Sequence, residues 1–391
     1  MSDSAIRGAR LIGFIGDVHG DMQHLLAAMN IMWNHGVQVL VVLGDFGMVW
    51  PGRNWSAELD KINRRLSVRG QTLYFIDGNH EDFDALYKFP LGDDGLRTLR
   101  QKVIHIPRGT RMTLSSGRTL AALGGANSID ADSRIAGRSW WPQESITDDD
   151  LASLGADPAD VMIGHDAPLD LPALDRHLAA TEHLWSESGL VYADAGRRVF
   201  HRGFTQVRPH LYLGGHYHLH VDQTVDFLAG EDRSRCRTVI LDMNRGGDAV
   251  SFAIMDVEGL SLEYLTRRER PVTSLTGRES GRWHVTTAEG THMLDLDART
   301  IEQTPEANDG NPAPQLLELL LCRVGLPLSW TDTRRHDPTA DHRQDASDVE
   351  RIARVPRNSR SAPPHPVTSR TAPSRRAPSP AARDSPSAAA P

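Results

Sequence analysis

Gly16-Asp17-Val18-His19-Gly20 follows the apolar run Leu11-Ile12-Gly13-Phe14-Ile15, and the reading of that junction decides the fold class. A short apolar run closed by a Gly turn reads as a buried β-strand. Asp17 and His19 are two residues apart, so in extended chain their side chains face the same side. The flanking glycines let the backbone turn and leave room for an ion and a substrate. A single junction of this kind is common by chance, as a turn followed by a helix cap.

The pattern recurs. Residues 21–33 carry Leu25, Leu26, Met29 and Met32 at spacings of three and four, which predicts a helix. The β-branched run 37–43 ends in Gly44-Asp45-Phe46-Gly47. An amphipathic stretch, 56–68, leads to a third strand, 72–76, which ends in Asp77-Gly78-Asn79-His80-Glu81-Asp82. Three strand-helix units in succession predict a largely parallel α/β sheet. In such sheets the site lies beyond the carboxyl ends of the strands, so the three clusters are expected to converge.

Short strands are expected at 103–106, 112–114 and 119–123. The polar loop 124–144 follows, with Arg134, Arg138, Trp140 and Trp141; loops this long are functional or disordered, and the tryptophans argue for order. A helix start at 145–150 precedes a strand at 160–163 that ends in Gly164-His165-Asp166. Residues 170–198 read as mostly helical, and 211–213 leads to Gly214-Gly215-His216-Tyr217-His218. Strands at 238–243, 249–255 and 260–265 complete a first domain, 1–268. Residues 269–330 read as a small β-rich accessory module containing a hairpin, 282–287 with 293–296. Residues 331–391, rich in Pro, Ser, Arg and Ala, are expected to be a disordered tail.

Composition narrows the function classes. The 391 residues carry a net charge of −8; from Arg351 onward eight arginines face one acid, so the tail is +7 and the preceding part −15. An acidic body disfavours broad nucleic-acid binding. No run reaches the roughly 20 apolar residues of a membrane-spanning helix, and the N-terminus lacks a signal-peptide pattern. Cys236 and Cys322 have no metal-type spacing. A cytoplasmic, disulfide-free protein is the expectation.

Five segments thus deliver Asp17, His19, Asp45, Asn79, His80, His165, His216 and His218 to strand ends, each beside a glycine. Two carboxylates, several imidazoles and one amide oxygen, without thiolates, suit divalent Mn, Fe, Zn or Co. Seven ligands are too many for one ion and suit two, with a shared Asp between them. Two divalent ions about 3.5–4 Å apart activate water and stabilise attacking and leaving oxygens. His80, left over, is placed to donate a proton to the leaving oxygen or to stabilise developing charge.

Taken in order, Gly-Asp-Val-His-Gly, Gly-Asp-Phe, Gly-Asn-His-Glu, Gly-His and Gly-His-Tyr-His over residues 11–265 resemble the motifs of the calcineurin-like metallophosphoesterases, of the bacterial or phage type. The resemblance implies a four-layer α/β/β/α sandwich that hydrolyses a phosphomonoester or phosphodiester with water activated by two divalent ions, Mn, Fe or Zn, with Mn the ion for assays in vitro. By motif position it implies Asp17, His19, Asp45 and His218 around the first ion, and Asp45, Asn79, His165 and His216 around the second. His80 takes the proton-donor or phosphate-contact role. The partner implied is a phosphoester, with a nucleotide among the candidates. The Arg that clamps phosphate in the protein Ser/Thr phosphatases of this family has no match after Gly44-Asp45-Phe46, and Arg134 or Arg138 is the candidate replacement. Two competing readings are a nuclease of the same fold assisted by the basic tail, which the acidic body disfavours, and an interaction scaffold with a vestigial site, which the complete ligand set disfavours.

Overall fold

The computed structural model describes residues 4–229, 232–244, 246–268, 274–304, 315–332 and 343–354. In chain order the elements are α1 (Ala5–Gly8), β1 (Leu11–Ile15), α2 (Met22–Asn34), β2 (Val39–Leu43), α3 (Trp55–Val68), β3 (Thr72–Ile76), α4 (Phe83–Leu86), β4 (Arg97–Arg100), β5 (Val103–His105), β6 (Arg111–Thr113) and β7 (Thr119–Leu123). Then come α5 (Asp148–Leu154), β8 (Val161–Gly164), α6 (Pro172–Thr181), α7 (Glu187–Val207), β9 (Leu211–Gly214), β10 (Val221–Ala229), β11 (Asp232–Ile240), β12 (Phe252–Asp256) and β13 (Ser261–Leu265). The last elements are β14 (Ser274–Leu275), β15 (Arg282–Thr287), β16 (Gly290–Asp295), β17 (Thr300–Thr304), β18 (Leu316–Arg323), β19 (Pro327–Asp332) and β20 (Arg343–Arg354).

Two sheets pack face to face between helices. The first has the order β13-β12-β1-β2-β3-β5-β4 and the second β10-β11-β9-β8-β7-β6. Strands β1, β2 and β3 are parallel neighbours, as are β7, β8 and β9. Alternation along the strands explains the layers. Ile12, Phe14, Val39, Val41, Leu43, Tyr74 and Ile76 point into the core shared with Leu120, Ala122, Val161, Ile163, Leu211 and Leu213 of the second sheet. Their neighbours Ile15, Leu40, Val42, Leu73 and Phe75 point the other way, under Leu25, Met29 and Met32 of α2 and Leu59, Ile62 and Leu66 of α3. Helices α5, α6 and α7 cover the outer face of the second sheet through Leu151, Leu154, Leu174, Phe200, Phe204 and Val207. The architecture is therefore an α/β/β/α sandwich, with strands that are apolar throughout because both faces are buried.

The helix starts follow capping chemistry. The Asp21 carboxylate accepts the N–H groups of Gln23 and His24, and Thr147 with Asp150 forms a capping box at α5. Two features differ from the expected pattern. Of the expected strand 238–243 only 238–240 is strand, the end of a long hairpin in which β10 and β11 pair along their full length from Val221↔Ile240 to Ala229↔Asp232. Polar residues, among them Asp222 and Asp226 of β10 and Arg233, Arg235 and Arg237 of β11, leave few apolar side chains to mark these strands.

The second difference concerns the tail. A third sheet has the order β14-β18-β19-β20-β15-β16-β17 and a core of its own, including Trp283, Val285, Leu294, Ile301, Leu319, Leu328, Trp330, Val349 and Ile352. Strand β20, expected within a disordered 331–391, is its central strand, paired with β19 on one side and β15 on the other. Thr286 and Thr287 pair with Arg351 and Val349, so Glu350 is a bulge residue. The bulge lets Val349 and Ile352, three apart, share one buried face, which erases the period of two. Residues 355–391 lie outside the described residues.

Candidate metal centre

The parallel strands end level with one another. Ile15 lies opposite Val42, and Leu43 opposite Ile76, so the turns after β1, β2 and β3 carry Asp17, Asp45 and Asn79 to the same edge. The first two turns are tied together: the N–H groups of Val18 and His19 both donate to the Asp45 carbonyl, at 3.1 and 2.7 Å. The second sheet delivers His165 after β8 and His216 and His218 after β9 to the facing edge. His19, Asp45, His216 and His218 all adopt positive φ, between 47° and 70°. For a residue with a Cβ this costs about 1–2 kcal/mol each, and such outliers cluster where side chains must be aimed.

Asp45 is the hinge of the arrangement. Its Oδ2 lies 3.6 Å from His19 Nε2, in a group in which Asp17, His19, Asp45 and His218 bring one donor atom each within 4.8 Å of one another. His218 Nε2 is 3.1 Å from Asp17 Oδ2 and 3.0 Å from His19 Nε2. The other Asp45 oxygen, Oδ1, faces His165 Nε2 at 3.3 Å and accepts the His80 N–H at 2.7 Å. Asn79 Oδ1 is 3.1 Å from the same His165 Nε2. His165 Nδ1 donates to the Leu43 carbonyl at 2.8 Å, which leaves Nε2 for a ligand. His216 packs edge-on against His165, with ring centroids 5.0 Å apart, and its N–H donates to both oxygens of Asp17.

These contacts gather lone pairs: carboxylate oxygens, an amide oxygen and imidazole nitrogens crowd together on both sides of Asp45. Asp17, His19, Asp45 and His218 could hold a metal ion, and oxygen and imidazole donors without thiolates suit a divalent one. Burial alone would lower the His165 imidazole, but Asp45 and Asp17 raise it to about 10. Burial, together with the charge on His165, lowers His216 to about 3. Burial opposes ionisation of Asp45, yet His165, His80 and His19 hold its carboxyl well below the usual range.

Two glycines are there for space. A Cβ on Gly44 would lie 2.1 Å from His165 Nδ1, and one on Gly78 would lie 2.2 Å from Asp45 Oδ1. Glu81, buried beside them, accepts the N–H groups of Phe46 and Gly47 at 2.7 and 3.3 Å and pins the β2 turn to the β3 turn.

The loop 124–144 is ordered by two short 3-10 turns, Ala131–Ser133 and Pro142–Glu144. It supplies the site with Arg134, whose Nη2 donates to His80 Nε2 at 2.8 Å and pairs with Asp130 at 2.7 Å. Arg138 is exposed and is not brought to this cluster. Trp50 lies over the His80 ring, with centroids 6.1 Å apart and planes 29° apart. Burial lowers the His80 imidazole to about 4, with Arg134 adding to the effect and Asp45 opposing it.

Several supporting residues escaped sequence reasoning. Asp77 is buried and paired with Arg108 at 2.7 Å and His105 at 3.1 Å. Arg108 also donates to the carbonyls of Gln143, Glu144 and Ser145, and so staples the loop to the β3 turn. Glu144 accepts from the Ser128 hydroxyl, the Ser128 N–H and the Trp140 indole N–H at 2.6–2.9 Å; burial raises its carboxyl above the usual range and these donors oppose that. Asp77 stands directly before Gly78-Asn79-His80, and that adjacency was the one signal available.

A family profile described as calcineurin-like phosphoesterase matches residues 10–220. Among solved structures, the chain is similar to TT1561 of Thermus thermophilus, with 12% identity over 66% of this chain and 99% of that one, at a TM-score of 0.37. A second solved structure shares 13% identity over 66% of this chain and 98% of its own, at a TM-score of 0.39. No curated protein matches. No helix among the described residues is long and apolar enough to cross a membrane.

Proposed function

The chain belongs to the calcineurin-like phosphoesterase family, and on that premise we propose that it is a metal-dependent phosphoesterase that hydrolyses a phosphomonoester or phosphodiester. The observation that carries this reading is the Asp45 carboxylate, one oxygen directed at each of two donor clusters. Asp17, His19, Asp45 and His218 would hold one divalent ion; Asp45, Asn79, His165 and His216 would hold the other. Such a pair, when bound, supplies activated water and neutralises charge on the ester oxygens.

The chain's own residues do the rest. Arg134, in contact with His80, would take the phosphate-clamping role, since its guanidinium can bind a phosphate with two parallel N–H groups. Because a guanidinium only donates, His80 Nε2 accepts from it at 2.8 Å. An incoming phosphate would take over the guanidinium and release His80 Nε2 toward the ester. Beside the anionic ester, His80 Nε2 would first take a proton from water and then donate it to a phosphate oxygen or to the leaving oxygen, positioned by the Trp50 ring above it. Asp130 keeps Arg134 oriented through its ion pair.

The test is hydrolysis of a chromogenic phosphomonoester and a chromogenic phosphodiester after chelation, with and without added Mn. Activity should vanish on chelation and return with Mn, and the preferred ester narrows the substrate class. Arg134→Ala should raise KM by about 10- to 100-fold, the worth of a charged hydrogen bond at about 1.5–3 kcal/mol, and leave metal content unchanged. Neither ester being turned over by protein with two ions bound would overturn the assignment to generic phosphoesters.

A further inference from the structure

Resting on that reading of the metal centre, we propose that Ser128 and Glu144 are positioning residues that fix which end of the Asn79 carboxamide faces the second ion. An Asn side chain presents an oxygen on one side and an NH2 group on the other, nearly equal in size. Only the oxygen can ligate a cation, so a flipped Asn79 would turn two N–H donors toward it. Something must decide the orientation, and the structure contains a chain of hydrogen bonds that does so.

The chain starts at Glu144, which is fully buried. Its Oε1 accepts the Ser128 N–H at 2.7 Å and the Trp140 indole N–H at 2.9 Å. Its Oε2 accepts the Ser128 hydroxyl proton at 2.6 Å. With that proton committed, Ser128 Oγ has only lone pairs to offer Asn79, and it accepts from Asn79 Nδ2 at 3.0 Å. The amide is therefore locked with Nδ2 toward Ser128 and Oδ1 toward His165 Nε2, 3.1 Å away. The polarity of the relay is set by its far end, a carboxylate that only accepts.

The relay is held in place independently of any ion. The Asn127 Nδ2 donates to the Tyr192 carbonyl on α7, and its Oδ1 accepts from the Ser145 hydroxyl, both at 2.8 Å. Arg108 binds the carbonyl of Glu144 at 3.0 Å. The loop 124–144 thus does two jobs, bringing Arg134 to the substrate side and Ser128 with Glu144 to the back of Asn79.

Glu144→Gln probes the polarity with little change in shape. With its oxygen kept toward Ser128 N–H and Trp140, its NH2 group faces Ser128 Oγ and donates to it. The Ser128 hydroxyl must then donate onward, and Asn79 is satisfied by turning Oδ1 to Ser128 and Nδ2 to the metal side. Mn content after dialysis, Mn affinity by titration and the paramagnetic resonance signal of a coupled Mn pair are read in mildly alkaline buffer, with unfolding temperature as a check on the fold. The expected result is two ions in the unaltered protein and one in Glu144→Gln, with the coupled signal replaced by that of an isolated ion. Ser128→Ala should weaken the second ion by about 10- to 100-fold, the usual scale for residues that orient a ligand, and Ser128→Thr should restore it. Should Glu144→Gln fail to fold, the Ser128 pair of variants decides alone. Two ions held with unaltered affinity in Ser128→Ala would overturn the proposal. Fewer than two ions in the unaltered protein would overturn the dinuclear reading instead.

Discussion

In β2 all five residues, Val39–Leu43, are buried and alternate between two cores. In β18, eight residues long, only Leu316, Leu319 and Cys322 are buried, and the register shifts twice, once after each of the first two. Both strands are apolar, yet they differ in what their ends must do. An unbroken register keeps Leu43 level with Ile76 and places Asp45 against His165 and His19 to within a few ångströms. A single bulge in β2 would move that carboxylate to the opposite face. Strand β18 tolerates two bulges, and the metal-type donor cluster found among the described residues lies at the ends of the sandwich strands. Regular strands are kept where chemistry needs alignment, and irregular ones suffice where burial alone is required.

The comparison breaks if residues at the sandwich strand ends turn out to be replaceable. Asp45→Ala removes both oxygens that face the donor clusters, and it should take metal content from two ions to at most one and turnover to background. Retention of two ions, read by elemental analysis after dialysis, would show that the carboxylate is not the shared element. Gly78→Ala should be next in size. Its Cβ would meet Asp45 Oδ1 at 2.2 Å and the Asp45 backbone nitrogen at 2.4 Å, so the carboxylate must move and Mn affinity should fall. Gly325, in the turn after β18, has φ of +82° and open space around it. Gly325→Ala should cost only the left-handed backbone, about 1–2 kcal/mol, visible as a lower melting temperature with unchanged kcat.

A second contrast sharpens the packing side. Leu40→Ala opens a cavity beneath α2 and α3 and should cost about 2–5 kcal/mol in denaturant unfolding. Leu317→Ala, at a side chain 49% exposed on β18, should stay within about 0.5 kcal/mol. Equal losses at the two positions would mean that the exposed face of β18 is covered in solution.

The sandwich was legible in the sequence for the same reason that its register is clean. Ile12 and Phe14 face one core while Ile15 faces the other, so the whole run is apolar and its Gly-polar terminus stands out. The candidate ligand residues were legible because each follows such a run. Ser128 and Glu144 were not, because a Ser and a Glu in a polar loop look like solvated residues until Asn79 and Trp140 are placed beside them. Strand β20 was hidden by composition: its buried Val349 and Ile352 are separated by a bulge and flanked by charged residues. A period of two was absent, and the Pro- and Arg-rich chain that follows drew the boundary at 331, too early.

That boundary changes the smallest of the expected effects, removal of the basic tail. Strand β20 lies in the middle of the third sheet, between β19 and β15. A cut after Thr331 would separate β14, β18 and β19 from β15, β16 and β17, and any loss of activity would report a broken sheet. The informative cut falls after Arg354. It removes six of the eight arginines that end the chain, since Arg351 and Arg354 lie in β20. Hydrolysis of small phosphoesters by this shortened chain should match that of the full chain, with the same unfolding temperature. Cleavage of single- or double-stranded nucleic acid should be low in both. If instead the full chain cleaves nucleic acid, and the cut lowers that cleavage and flattens its dependence on salt, the six arginines act as a substrate-binding arm. The nuclease reading would then displace the small-ester one, with Asp45 and its neighbours unchanged in their roles.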